Sequence, residues 1–193
     1  MSKTYSGKSI ELFQGRTVVF DANVWIFING YCNPNKAKTD AYSEIYKKLI
    51  ERNIEVGVTD QVIYEILNRI IKFEYELACQ NDTSINGKFK SYRASKEFAP
   101  AMQGAVDTCY HIITDNMFYC IDHNKAAFLD IVDRSAKGLM DPNDISLYDY
   151  CKSKGYTLAT DDGDFVNCDI DLITENNFML NKRKSISEEG TTH

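Results

Sequence analysis

Thr17-Val18-Val19-Phe20-Asp21-Ala22-Asn23-Val24-Trp25-Ile26-Phe27-Ile28 decides how the rest of the chain reads. Residues 17–20 form a short β-branched and aromatic run, which predicts a strand. At Asp21 it gives way to a stretch whose apolar positions are dense enough for a buried helix, closed by Gly30. The same strand-then-helix unit recurs. Glu55-Val56-Gly57-Val58 reads as a second strand. Thr59-Asp60 then starts a helix carried by Val62, Ile63, Ile66, Leu67, Ile70, Ile71 and Phe73. Phe118–Ile121 and Tyr156–Thr160 give a third and a fourth strand, and Asp171–Ile173 a short fifth. Parallel neighbours need a crossover that a helix fills, so this alternation predicts an α/β fold with a doubly wound parallel sheet.

Between these strands the helical segments have their own signals. Tyr42, Ile45, Tyr46, Leu49 and Ile50 recur at helical spacing opposite Glu44, Lys47, Lys48, Glu51 and Arg52, with Thr39 or Asp40 as the expected cap. Residues 126–132 suggest a helix after the third strand. Asp141-Pro142-Asn143 resets the chain before a helix through Ile145, Leu147, Tyr148 and Cys151 to Gly155. The polar run 80–87 breaks the long middle helix. Residues 81–117 therefore read as a helical and loop insertion within a single domain spanning 1–180, and the polar segment 181–193 reads as a disordered tail.

Composition narrows the function classes. The chain has 193 residues, 44% hydrophobic and 26% charged, which suits one well-buried core. It lacks the long uncharged apolar stretch of a membrane span and the apolar centre of a secretory signal, so the expected location is cytoplasmic, with no membrane partner. Its 6 cysteines are scattered without a CxxC pair and read as buried free thiols rather than disulfides or a zinc site. A net charge of -6 argues mildly against wrapping nucleic acid by bulk electrostatics. Acids gathered at a metal site would contribute to that charge, and bound cations would cancel it locally.

Four acids stand where such a site would need them: Asp21 after the first strand, Glu65 on the helix after the second, Asp144 in the first turn of a later helix, and Asp162 after the fourth strand. Ligands of open α/β sheets collect outside the carboxyl ends of the strands, where Asp21 and Asp162 emerge. Carboxylates brought within a few ångströms raise one another's pKa, a conflict that a hard cation such as Mg2+ or Mn2+ removes. Phosphodiester hydrolysis by a metal-activated water is the natural chemistry of such a site. Each acid also has an ordinary account. Asp21 and Asp144 suit helix starts, Asp161-Asp162-Gly163-Asp164 is a good turn sequence, and one turn of helix can expose Glu65.

The segments Phe20-Asp21-Ala22-Asn23-Val24-Trp25-Ile26, Val62-Ile63-Tyr64-Glu65-Ile66-Leu67, Asp144-Ile145-Ser146-Leu147 and Gly155 to Phe165 together resemble the PIN-domain nucleases, across residues 16–173. The resemblance implies a PIN-like three-layer α/β/α sandwich with a central, mainly parallel sheet of four or five strands. It also implies Mg2+ or Mn2+ as cofactor and RNA as the substrate of an endoribonuclease. Asp21, Glu65, Asp144 and Asp162 would then be the metal-binding and catalytic acids. Asn23 and Thr160 would orient acids or waters, and Asp164 would be an additional carboxylate beyond the direct ligands. Many small members are dimeric toxins held inactive by an antitoxin peptide, so a homodimer and an antitoxin or other protein partner are further implications. The alternatives are a non-catalytic PIN-like module that binds RNA or protein, and a structure-specific DNA nuclease.

Lys88, Lys90, Arg93 and Lys96 alternate with Phe89 and Tyr92, a pattern that can grip a phosphate backbone and stack bases, or serve as a solvated helix face. His111 reads as a core or boundary residue, while His123 and His193 lack partners that would make a ligand set.

Overall fold

In a computed structural model of the chain, residues 2–32, 35–138 and 140–182 are described. Six strands form one sheet: β1 (Thr4–Tyr5), β2 (Val18–Phe20), β3 (Val56–Thr59), β4 (Met117–Tyr119), β5 (Thr157–Ala159) and β6 (Leu172–Ile173). Their order is β1-β6-β5-β2-β3-β4, and every neighbouring pair is parallel. The helices are α1 (Ala22–Asn29), α2 (Lys36–Glu51), α3 (Asp60–Asn81), α4 (Phe89–Arg93), α5 (Phe98–Asp115), α6 (Lys125–Ser135) and α7 (Pro142–Lys154), with a further helical stretch over 177–182.

From β2 the chain steps outward through β3 to β4, then returns across the sheet to β5 on the other side of β2. Right-handed crossovers place helices on opposite faces for these two directions. Accordingly α1, α2, α3 and α5 pack with one another, and α6 packs with α7. The result is the three-layer α/β/α architecture that the sequence predicts, with six strands in place of four or five and no antiparallel member among the described residues.

The central strands are apolar on both faces because both faces are covered. Val18, Val19, Phe20, Val58, Leu158, Leu172 and Ile173 are all fully buried, each contributing on the order of 1.5–3 kcal/mol of transfer free energy. Phe20, Trp25 and Tyr46 meet at ring separations of 5.1–5.8 Å, tying β2 to α1 and α2. Gly57 is needed in β3 because the ring of Tyr119 crosses it; a Cβ there would lie 2.7 Å from Tyr119 Cε2. Tyr119 then reaches Glu55, donating to its Oε1 at 2.7 Å.

Several local expectations change. The extra strand β1 has only two residues, too few for a periodic signal, and is placed by Lys3 N donating to Asp171 Oδ1 at 2.7 Å and by parallel pairing with β6. Helix α2 is capped by Asn35, whose Oδ1 accepts from Ala37 N and Lys38 N at 2.9 and 3.4 Å, rather than by Thr39 or Asp40. The earlier start puts Lys38 in the first turn.

Segment 81–117 holds α4 and α5. Helix α5 packs on α3 and sends Met102, Ala105, Cys109 and Ile112 into the core. Of the tail, Asn181 and Lys182 are helical, against the expectation of disorder, and residues 183–193 lie outside the described residues. The six cysteines form no disulfide among the described residues; Cys109 and Cys151 are buried, while Cys120 is exposed. Among the described residues no helix is long and apolar enough to cross a membrane.

Candidate active site

The reversal of direction between β2 and β5 is a topological switch point, and the carboxyl ends of such strands are the usual ligand position in doubly wound sheets. Asp21 leaves β2 at this point and caps α1, its Oδ1 accepting from Ala22 N at 2.6 Å. Its Oδ2 accepts from Thr160 Oγ1 at 2.8 Å and from Asn23 Nδ2 at 2.7 Å. The acid is only 3% exposed, and Thr160 is fully buried. Asn23 and Thr160 therefore hold Asp21 in one orientation, and both are tied to the strand opposite. Asn23 Oδ1 accepts from Asp161 N at 3.1 Å, and Thr160 Oγ1 accepts from Asp162 N at 3.0 Å.

Consecutive aspartates follow β5, and the structure separates them. Asp161 is turned into a clamp: its Oδ1 accepts from Lys38 Nζ at 2.6 Å and from Tyr42 OH at 2.8 Å. Lys38 also donates to Glu175 O at 2.7 Å, Tyr42 OH accepts from Glu175 N at 2.9 Å, and Asn176 Nδ2 donates to Asp161 O at 2.7 Å. Asp162 is not part of this clamp and caps the short 3-10 helix Gly163–Asn167 by accepting from Asp164 N at 3.0 Å. Removing Lys38 would strand the Asp161 carboxylate, which is 18% exposed, against one phenol. Lys38→Met is expected to cost on the order of 1–3 kcal/mol, and a thermal melt should show no further loss when Asp161→Asn is added to it.

Glu65 lies on the second turn of α3, and its Oε1 pairs with Arg69 of the next turn at 2.6 Å. Asp144 sits in the first turn of α7, where Asp141 is the cap and accepts from both Asn143 N and Asp144 N at 2.8 and 3.0 Å. Asp164 is exposed on the turn after β5.

The acids act on one another. Asp144 has its pKa pushed up to about 8, first by burial and then by the charges of Asp141, Asp21, Asp162 and Glu65. Burial raises Asp21 to about 6, with Glu65 adding to the rise, while Thr160, Ala22 N–H and Arg69 oppose it. Burial also raises Glu65, against Arg69 and with Asp141 and Asp162. Asp164 is raised by burial, then by Asp162 and Asp141. The four acids picked from the sequence thus share one electrostatic neighbourhood, and Asp141 joins them. In the sequence Asp141 belongs to the Asp-Pro step that resets the chain, and its carboxylate at a helix start beside Asp144 is the signal that marks it.

Among the described residues no three Asp, Glu, His or Cys side chains are grouped, as they stand, into a set able to hold a metal ion by themselves. The donor chemistry still suits a hard cation. All donors are oxygens, their mutual repulsion calls for positive charge, and magnesium commonly takes only one or two carboxylates beside waters and substrate phosphates.

The basic segment lies elsewhere. Lys88, Lys90, Arg93 and Lys96 are all exposed. Phe89 and Tyr92 pack on Tyr75 at 5.1 and 5.5 Å, and Tyr92 also meets Phe98 at 5.6 Å, so these rings are used internally rather than offered to bases. Tyr75 is ten residues beyond Glu65 on α3, roughly 15 Å along the axis at the usual helical rise. His111 is exposed on α5, contrary to the core or boundary expectation. The ring of His123 has a partner in Ser146 Oγ at 2.7 Å, and His193 lies outside the described residues.

The sequence matches no family model and no curated protein. Among solved structures the chain is similar to PAE2754 from Pyrobaculum aerophilum, at 13% identity and a TM-score of 0.49, covering 89% of this chain and 94% of that one. It is also similar to VapBC2 from Rickettsia felis, solved bound to a DNA fragment from their promoter, at 16% identity, a TM-score of 0.49 and coverages of 82% and 98%. A third is FitAcB from Neisseria gonorrhoeae, at 16% identity, a TM-score of 0.44 and coverages of 81% and 96%.

Proposed function

We propose that the chain is a divalent-metal-dependent endoribonuclease that adds water across a phosphodiester bond at the carboxyl ends of β2 and β5. The observation that carries this reading is the convergence of Asp21, Glu65, Asp144 and Asp162 from four separate elements into one field at the topological switch of the sheet. These four would hold Mg2+ or Mn2+, with Asp141 and Asp164 adding negative charge around them. When bound, the cation supplies charge neutralisation at the phosphodiester and a water acidic enough to attack near neutral pH. The chain's own residues supply orientation. Thr160 and Asn23 keep Asp21 Oδ2 fixed, and the Lys38–Tyr42 clamp on Asp161 holds the turn that presents Asp162. RNA is chosen over DNA on the sequence resemblance to PIN-domain nucleases.

One observation favours a second reading, a non-catalytic binding module: the Arg69 guanidinium already occupies Glu65 Oε1, a cation in part of the place a metal would take. The two readings separate in a cleavage assay with end-labelled RNA and its DNA counterpart in Mg2+, Mn2+ and EDTA. Metal-dependent RNA fragments that vanish in EDTA are the expected result. Folded protein that leaves RNA intact in both metals overturns the nuclease, and preferential cutting of the DNA reassigns its substrate.

A further inference from the structure

Beside the acid cluster stands an aromatic ring that the reading above does not use. Phe178 is 58% exposed, whereas the next residue, Met179, is fully buried. The helical stretch that carries both is therefore seated on the core, and the exposure of Phe178 is not fraying. Its start is locked to the acid-bearing turn through one side chain. Asn176 Nδ2 donates to Asp161 O at 2.7 Å, and Asn176 Oδ1 accepts from Phe178 N at 3.0 Å. The ring edge comes within 3.8 Å of the position that a Cβ on Gly163 would take, so it borders the residue between Asp162 and Asp164. Lys182 Nζ lies 5.6 Å from the ring centroid.

A single exposed ring is ordinary on a protein surface. A ring registered to a carboxylate turn and paired with a cation is a different arrangement, since base stacking on an aromatic beside a phosphate-binding cation is how single strands are gripped without regard to sequence. One ring is too little apolar area for a protein partner to dock on.

We propose that Phe178 and Lys182 form a platform for one unpaired nucleobase at the edge of the acid cluster, with the ring stacking the base and the ammonium taking the phosphate that accompanies it. The substrate would then be single-stranded, or unpaired at the position next to the cut. This inference rests on the nuclease reading for its substrate class, yet it concerns binding and is measured without cleavage.

The test is titration of the full chain into a single-stranded RNA oligonucleotide carrying 2-aminopurine, in Ca2+, following fluorescence. Stacking is expected to quench the probe. Phe178→Ala should abolish the quench and weaken binding about tenfold or more, while Phe178→Trp keeps both. Lys182→Ala should retain the quench and flatten the salt dependence by roughly one phosphate contact. Equal affinity and equal quench in Phe178→Ala overturn the platform, as does wild-type protein that binds no RNA. If wild-type protein cuts RNA in Mn2+ and Phe178→Ala behaves identically in both assays, the platform fails and the nuclease stands. A quench that depends on Phe178, in a protein that cuts nothing, supports the platform and removes the nuclease.

Discussion

Asp21→Asn is expected to lower metal-dependent RNA cleavage at least about 100-fold, since removing even a group that only supports a metal ligand costs about 10- to 100-fold, while leaving the fold in place. The second half of this expectation comes from the hydrogen bonds. An asparagine can still cap α1 by accepting from Ala22 N, as Asp21 Oδ1 does at 2.6 Å. On the other side, Thr160 Oγ1 can switch from donor to acceptor, because a hydroxyl does both. The misfit falls on Asn23, whose amide now donates toward Asp21 Oδ2 while its own oxygen accepts from Asp161 N. It can turn to suit the substituted amide only by releasing Asp161 N. That cost is set against the gain of removing a charge that is 3% exposed. Melting temperatures of the two proteins without metal should therefore agree within a few degrees. A variant that unfolds would leave its activity uninformative, and in that event Asp144→Asn, in a less buried position, carries the same comparison. Full activity in both folded variants would remove the proposed site.

The sequence made the sheet legible wherever burial was double-sided. Val18-Val19-Phe20 and Leu172-Ile173 are continuous apolar runs because helices cover both faces of the strands they form, and each strand that ends on an acid could be placed at the ligand-binding edge by a general rule of α/β folds. What stayed illegible depended on distant partners. Asp161 and Asp162 are equivalent in sequence; they differ only because Lys38 and Tyr42 of α2 reach across to the first of them. Lys38 is in position to do so because α2 begins at Asn35, and a competing cap signal at Thr39-Asp40 hid that start. The strand β1 has no burial pattern of its own and is defined by β6. Phe89 and Tyr92 gave a credible nucleic-acid motif, but Tyr75, on a helix read as separate, absorbs both rings. Phe178 carries no signal in the sequence because one aromatic in a polar C-terminal stretch has no periodicity, and its meaning comes from Asn176 and Gly163.

The metal-free protein is expected to lose stability as the pH rises from about 5 to 8, and magnesium or manganese should restore it. Asp21 and Asp144 have folded-state pKa values of about 6 and about 8, both above the value near 3.9 of an unfolded aspartate. Between the unfolded and folded values the native chain holds protons that the unfolded chain has released. The contribution is therefore fully present below about pH 4 and is lost as the pH climbs through 6 for Asp21 and through 8 for Asp144. For Asp21, which is fully enclosed, the displacement from 3.8 to about 6 amounts to on the order of 3 kcal/mol, or roughly 6–12 °C of melting temperature for a chain of this size. A cation among the acids reverses the argument by favouring their charged forms, so its stabilising effect should grow from pH 5 to pH 8. Asp144→Asn should flatten the melting curve above pH 6 and reduce its slope between about pH 4 and 6, where Asp21 still contributes. Scanning calorimetry in EDTA and in Mn2+ across this range reads both effects. A metal-free melting temperature that stays level from pH 5 to 8, or a slope that Asp144→Asn leaves untouched, would mean that the carboxylates are not buried and crowded as their positions require, and the case for a shared cation would fall with it.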